Sequence, residues 1–147
     1  MSKNRYEKFG ERNFGITSGT AGNSEGDILW IGNTTVVAGK VYYLTSGDTD
    51  WSLSDADSEG ASKNLLAVAR ASGNSSVVGM LVRGVVTVAS NPGSGVGLPM
   101  YLSVNSGDVS RAAPTAAGDV VRVVGYQLVD GGKIWFNPDS TYILLAE

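Results

Sequence analysis

No segment of this 147-residue chain keeps apolar residues at i, i+3, i+4 and i+7 for three turns, and this absence narrows its folds more than any motif does. From Asp27 onward the apolar residues come in short runs bounded by turn residues: DILWI, TTVVA, KVYYLT, NLLAVARA, VVGMLVRGVVTVA, LPMYLSV, DVVRVVGYQLV, KIWF and TYILL. Runs spaced by about 8–12 residues are what an all-β sandwich or barrel produces. Only SKNLLAVARA admits a helical reading, against its length and its flanks. The length fits one domain with one core. The expectation is a single mainly β domain, a barrel or sandwich of roughly 8–11 strands, preceded by an extended N-terminal arm.

Alternation within two runs predicts how faces are used. In 81–89, Val82, Val86 and Val88 share one side with Gly84, while Leu81, Arg83, Val85 and Thr87 share the other. In 120–128, Val120, Val124, Tyr126 and Leu128 share a side with Arg122, and Val121 and Val123 lie opposite. Both sides of that second run are largely apolar, which implies a central strand or one covered by a neighbouring subunit. Arg122, Val124 and Tyr126 are therefore the candidate subunit interface.

A diverged internal repeat is also legible. Residues 38–70 can be laid over residues 95–128, matching GKVYYL to GLPMYL and the turn Ser46-Gly47-Asp48 to Ser106-Gly107-Asp108. Each copy reads as a strand, a Ser-Gly-Asp turn, a polar loop and a Val/Leu-rich strand.

Composition removes whole chemistries. The chain has no His and no Cys, which takes away the usual general base, nucleophile pairs that need His, zinc-thiolate and iron–sulfur sites, and disulfides. Charged residues make up 17%, below the roughly 25% typical of soluble domains, so part of the surface is expected to be covered by a partner. A net charge of −3 argues against nucleic-acid binding, which needs clustered Lys and Arg. The opening MSKNRYEKFGER is charged where a signal peptide would be apolar, and Arg83 interrupts the longest apolar stretch, so neither secretion nor membrane insertion is expected.

Three motifs invite chemistry. Asp48, Asp50, Asp55, Asp57 and Glu59 form an acidic stretch in which Asp55-x-Asp57-x-Glu59-Gly60 imitates the start of a calcium loop. Leu66 stands where the bidentate Glu is required, so a solvated loop and no metal are expected. Gly93-Ser94-Gly95-Val96-Gly97 looks like a dinucleotide fingerprint, but Pro92 and Pro99 flank it and a strand follows, so it reads as a loop with no cofactor. A two-carboxylate glycosidase is the enzyme class that such a composition permits most readily, yet the acids lie in polar turns without aromatic neighbours to split their pKa values. Trp30 and Trp135 lie in apolar runs and read as core; Trp51, between Asp50 and Ser52, reads as exposed. No enzyme activity is expected.

From Gly39 onward, VYYLTSGDTDWSLSDADSEG, LLAVAR, GMLVRGVVTVAS, PMYLS, GDVVRVVGYQL and IWFNPDSTYILL resemble a module of tailed-bacteriophage virion proteins, found in tail-fibre-like proteins and small capsid decoration proteins. The resemblance covers about residues 39–147, and its most specific part is GDVVRVVGYQL followed by IWFNPDSTYILL. It implies a β-rich, non-enzymatic capsid decoration or cement protein on the virion exterior. Such a protein would be a homotrimer that binds the major capsid protein and strengthens capsomer junctions. The alternative is a tail-fibre or receptor-binding module that recognises a host surface. The resemblance brings no catalytic residues.

Residues 1–26 lie outside it, with the β domain assigned to 27–147. Residues 1–12 hold four bases against two acids, net +2 within a chain of net −3. Arg5, Lys8 and Arg12 beside Tyr6, Phe9 and Phe14 suit an anchor that spreads aromatic and Arg contacts over a partner surface.

Overall fold

The computed structural model describes Gly15 and residues 19–146. The described residues are mainly β, 39% strand and 5% helix, with a strongly curled antiparallel half-barrel at their centre. Its strands are β1 (Ser24–Leu29), β2 (Thr35–Val36), β3 (Val41–Leu44), β4 (Trp51–Leu53), β5 (Leu66–Ala69), β6 (Gly73–Asn74), β7 (Met80–Thr87), β8 (Pro99–Leu102), β9 (Val109–Ser110), β10 (Val120–Val121), β11 (Val123–Val129), β12 (Lys133–Phe136) and β13 (Ile143–Leu144). This exceeds the expected number because several elements are two-residue bridges. SKNLLAVARA supplies β5 and not a helix. The single α-helical turn among the described residues, α1 (Ser75–Val78), starts where the Asn74 side chain accepts a hydrogen bond from Ser76 N at 3.0 Å.

The main sheet runs β4-β3-β5-β7-β12-β11-β8-β9, with β1 added along β7. Residues 38–70 supply β4-β3-β5 and residues 95–128 supply β9-β8-β11, so the two stretches share a strand order at opposite ends of the sheet. Their aligned residues nevertheless face opposite ways. Tyr42 packs with Val36, Trp51 and Met80 outside the curl, whereas its aligned Met100 packs inside with Leu102, Ile134 and Phe136.

The two ends of the sheet are sewn together by backbone hydrogen bonds. Val41 N donates to Gly107 O at 2.8 Å, Gly107 N to Ser54 O at 2.8 Å, Ala56 N to Ser103 O at 2.9 Å and Val120 N to Ala56 O at 2.7 Å. Lys40 Nζ meets Asp108 Oδ1 at 2.8 Å across the same seam. Strand edges that would otherwise expose unpaired amides are thereby occupied.

The interior holds Val41, Leu66, Val68, Leu81, Val86, Met100, Leu102, Val124, Ile134 and Phe136. Two β-bulges change the expected faces. The register passes from Asp27 opposite Arg83 to Ile28 opposite Leu81, so Val82 is an extra residue in β7. Leu81 and Val86 therefore share the interior despite odd spacing, and Val82 packs with Met80 outside. In β11 the step from Val123 opposite Tyr101 to Gly125 opposite Met100 makes Val124 the extra residue. Val124 turns into the core and Tyr126 turns out, which corrects the reading that put them on one side.

The domain boundary also moves. Gly22 N donates to Thr87 O at 2.8 Å, and Thr87 N to Asn23 O at 3.0 Å, before β1 begins at Ser24. The β body therefore starts before Asp27.

Candidate functional site

The two halves of the sheet treat their outer faces differently. Outside β3, β4, β5 and β7, the side chains of Tyr42, Trp51, Ala67, Ala69 and Met80 are buried under Ile31 and Val36, which the crossing segment after β1 brings over them, and under Val78 of α1. Trp51 is only 2% exposed and donates Nε1–H to Ile31 O at 3.2 Å. Trp30 is 54% exposed, with Arg70 over its ring at 5.4 Å. Both tryptophans therefore depart from the sequence reading: the chain leaves the sheet after Leu29, and its next residues cap Trp51 while Trp30 is left outside.

Outside β8, β11 and β12 no such cover exists among the described residues. Tyr126 lies opposite Pro99 on one neighbour and Trp135 on the other, and it is 48% exposed. Leu128 and Val129 continue the exposed line along β11. Trp135 is half-buried and carries the Arg83 guanidinium over its ring at 5.1 Å. This is a contiguous apolar and aromatic surface with a cation at its border, the composition of an interface core.

Of the three expected interface residues, only Tyr126 lies on this surface. Val124 is 0% exposed and belongs to the interior. Arg122 is 5% exposed: its Nη1 donates to Ser62 O at 2.6 Å and Asn64 O at 2.9 Å, and its Nε to Asp139 O at 2.7 Å. It joins the segment before β5 to the segment after β12 inside one chain. Val124 cannot meet a neighbouring subunit without opening this core, and Arg122 spends its Nε and Nη1 inside the chain, so the two-sided apolar run is explained by internal packing together with the exposed Tyr126 face. Desolvation lowers the Arg122 pKa, opposed by the nearby Asp139 charge.

The acidic stretch is tied to its surroundings. Asp55 Oδ1 accepts from Asp57 N at 3.1 Å and Oδ2 from Ser106 Oγ at 2.8 Å, while Glu59 Oε2 accepts from Tyr142 Oη at 2.6 Å. The hydrogen bond and charge of Asp55 push the Asp57 pKa above the usual carboxylate value. Among the described residues no group of three His, Cys, Asp or Glu side chains is placed to hold a metal ion. No helix among them is long and apolar enough to cross a membrane. The candidate anchor residues Arg5, Tyr6, Lys8, Phe9, Arg12 and Phe14 lie outside the described residues.

No signal in the sequence marked the contrast between the halves, because it depends on residues 30–37 folding back over one outer face. No family model, curated protein or solved structure matches the chain.

Proposed function

We propose that this is a non-enzymatic virion structural protein, a capsid decoration protein that seats its uncovered β8-β11-β12 face on the outer shell of a bacteriophage head. The observation that carries the reading is the unequal covering of one sheet: Tyr42 and Trp51 are capped by the chain itself, whereas Tyr126 and Leu128 are left to solvent. An apolar surface of that kind is stable in water only at the expense of hydration, and a partner removes the penalty. The lack of His and Cys favours a binding role over catalysis. The major capsid protein is the partner in this reading, with the protein acting as a trimer and residues 1–18 adding basic and aromatic contacts.

Co-sedimentation with undecorated shells tests it. The intact protein should bind, Tyr126→Glu combined with Leu128→Lys should abolish binding while keeping the circular dichroism spectrum, and removal of residues 1–18 should weaken it. Hundreds of copies per particle by quantified gel are expected. A few copies confined to the tail would replace this reading with the tail-fibre one.

A further inference from the structure

The main sheet opens along β7. β5 pairs with Met80 and Leu81 and β12 with residues 84–87, so at Val82 and Arg83 neither strand reaches across. The gap is a cleft of about 510 Å³, within the roughly 300–1,000 Å³ range of small-molecule sites. Arg122 lines it as well as bridging it. Its three hydrogen bonds use Nε and Nη1 and end on neutral carbonyls, which leaves Nη2 without a hydrogen bond to the described residues.

The charge around it is unbalanced. Lys63 and Arg83 also line the cleft, against one lining carboxylate, Asp27, whose Oδ2 lies 3.6 Å from Arg83 Nη1. Asp139 flanks Arg122, but its Oδ1 accepts from Thr141 N at 3.0 Å. Three cations therefore face two carboxylates. A buried guanidinium compensated mainly by carbonyls is well placed to take a carboxylate, because charge-assisted hydrogen bonds are about twice as strong as neutral ones. The rest of the lining fits a small polyol: Leu65, Val82 and Pro138 offer apolar walls for a ring's C–H face, and Asn137 and Ser140 offer partners for hydroxyl groups.

We infer that this cleft binds an acidic monosaccharide, free or at the end of a glycan, through its carboxylate at Arg122 and Lys63. The inference does not rest on the virion reading, although Arg83 belongs both to the cleft lining and to the border of the uncovered face.

Isothermal titration and amide chemical-shift mapping with glucuronate test it, with glucose and inorganic phosphate as comparison probes. Glucuronate should bind saturably in the millimolar range, with shifts centred on residues 63–66 and 137–140. Glucose should bind at least about tenfold more weakly, because it lacks the group that Arg122 pairs with. Lys63→Gln, an exposed position that leaves the core intact, should weaken glucuronate several-fold, and Asn137→Ala should weaken it without changing the preference over glucose. Absence of saturable binding, equal binding of glucose, or an unchanged affinity in Lys63→Gln would overturn the inference. Phosphate binding as tightly as glucuronate would also overturn it, by reducing the cleft to a general anion site.

Discussion

Gly26 and Gly84 lie directly opposite each other in the register of β1 with β7, and a Cβ on either would stand 2.1 or 2.2 Å from a carbonyl oxygen of the facing strand. Their φ angles of +154° and +145° are ones that residues with a side chain rarely adopt. The glycine pair lets β1 lie against β7 next to the bulge at Val82, so space and backbone conformation demand glycine together.

Gly84→Ala should therefore destabilise the fold by about 3 kcal/mol or more, combining backbone strain with a steric clash. Thermal unfolding should show a fall in Tm of about 10 °C. Gly47→Ala gives a contrast. Nothing lies within 4 Å of its Cβ, and its φ of +98° leaves conformational strain alone, so its loss should be clearly smaller.

Arg122→Gln should cost about 3 kcal/mol in urea unfolding, because the carbonyls of Ser62 and Asn64 lose their shared donor inside the protein. Arg122→Lys should recover little, since one ammonium on a flexible stem cannot serve carbonyls on both sides as the guanidinium fork does.

The Lys40–Asp108 pair has side chains that are 27% and 17% exposed, between a surface and a buried ion pair. A double-mutant cycle with Lys40→Met and Asp108→Asn should give a coupling of about 1 kcal/mol, discounted for that exposure and smaller in 1 M salt.

The hydrogen bond to Glu59 raises the Tyr142 pKa above 10.0. The phenol keeps its proton longer in the folded than in the unfolded chain, so the contribution of this contact is fully present below pH 10 and disappears as pH rises through the higher folded-state value. Difference absorbance between the wild type and Tyr142→Phe should isolate one phenol that ionises late, and Glu59→Gln should bring it closer to the ordinary value.

The β class was legible because turn-bounded apolar runs leave few alternatives, and ten of the thirteen strands overlap those runs, while β4, β6 and β9 lie in the polar stretches between them. The faces were not, because a bulge adds one residue and reverses every side chain beyond it. Val82 and Val124 carry no mark that distinguishes them from ordinary valines in alternation. Arg122 was visible as a lone cation in an apolar run, but its partners lie 58 and 60 residues away in the chain. The exposure of Trp30 and burial of Trp51 depend on a crossing segment, which local pattern does not encode.

The position of β12 has a consequence for synthesis. This strand lies in the middle of the main sheet, between β7 and β11, although it is made from residues 133–136 near the end of the described chain. Until those residues leave the ribosome, β7 and β11 have no strand to join them, and the β4-β3-β5 and β9-β8-β11 units cannot be brought into one sheet. The seam bonds from Val41 N to Gly107 O and from Val120 N to Ala56 O likewise wait for distant chain. Folding should be slow, as high contact order dictates, and nascent chains halted before Lys133 should remain sensitive to protease however long they are held.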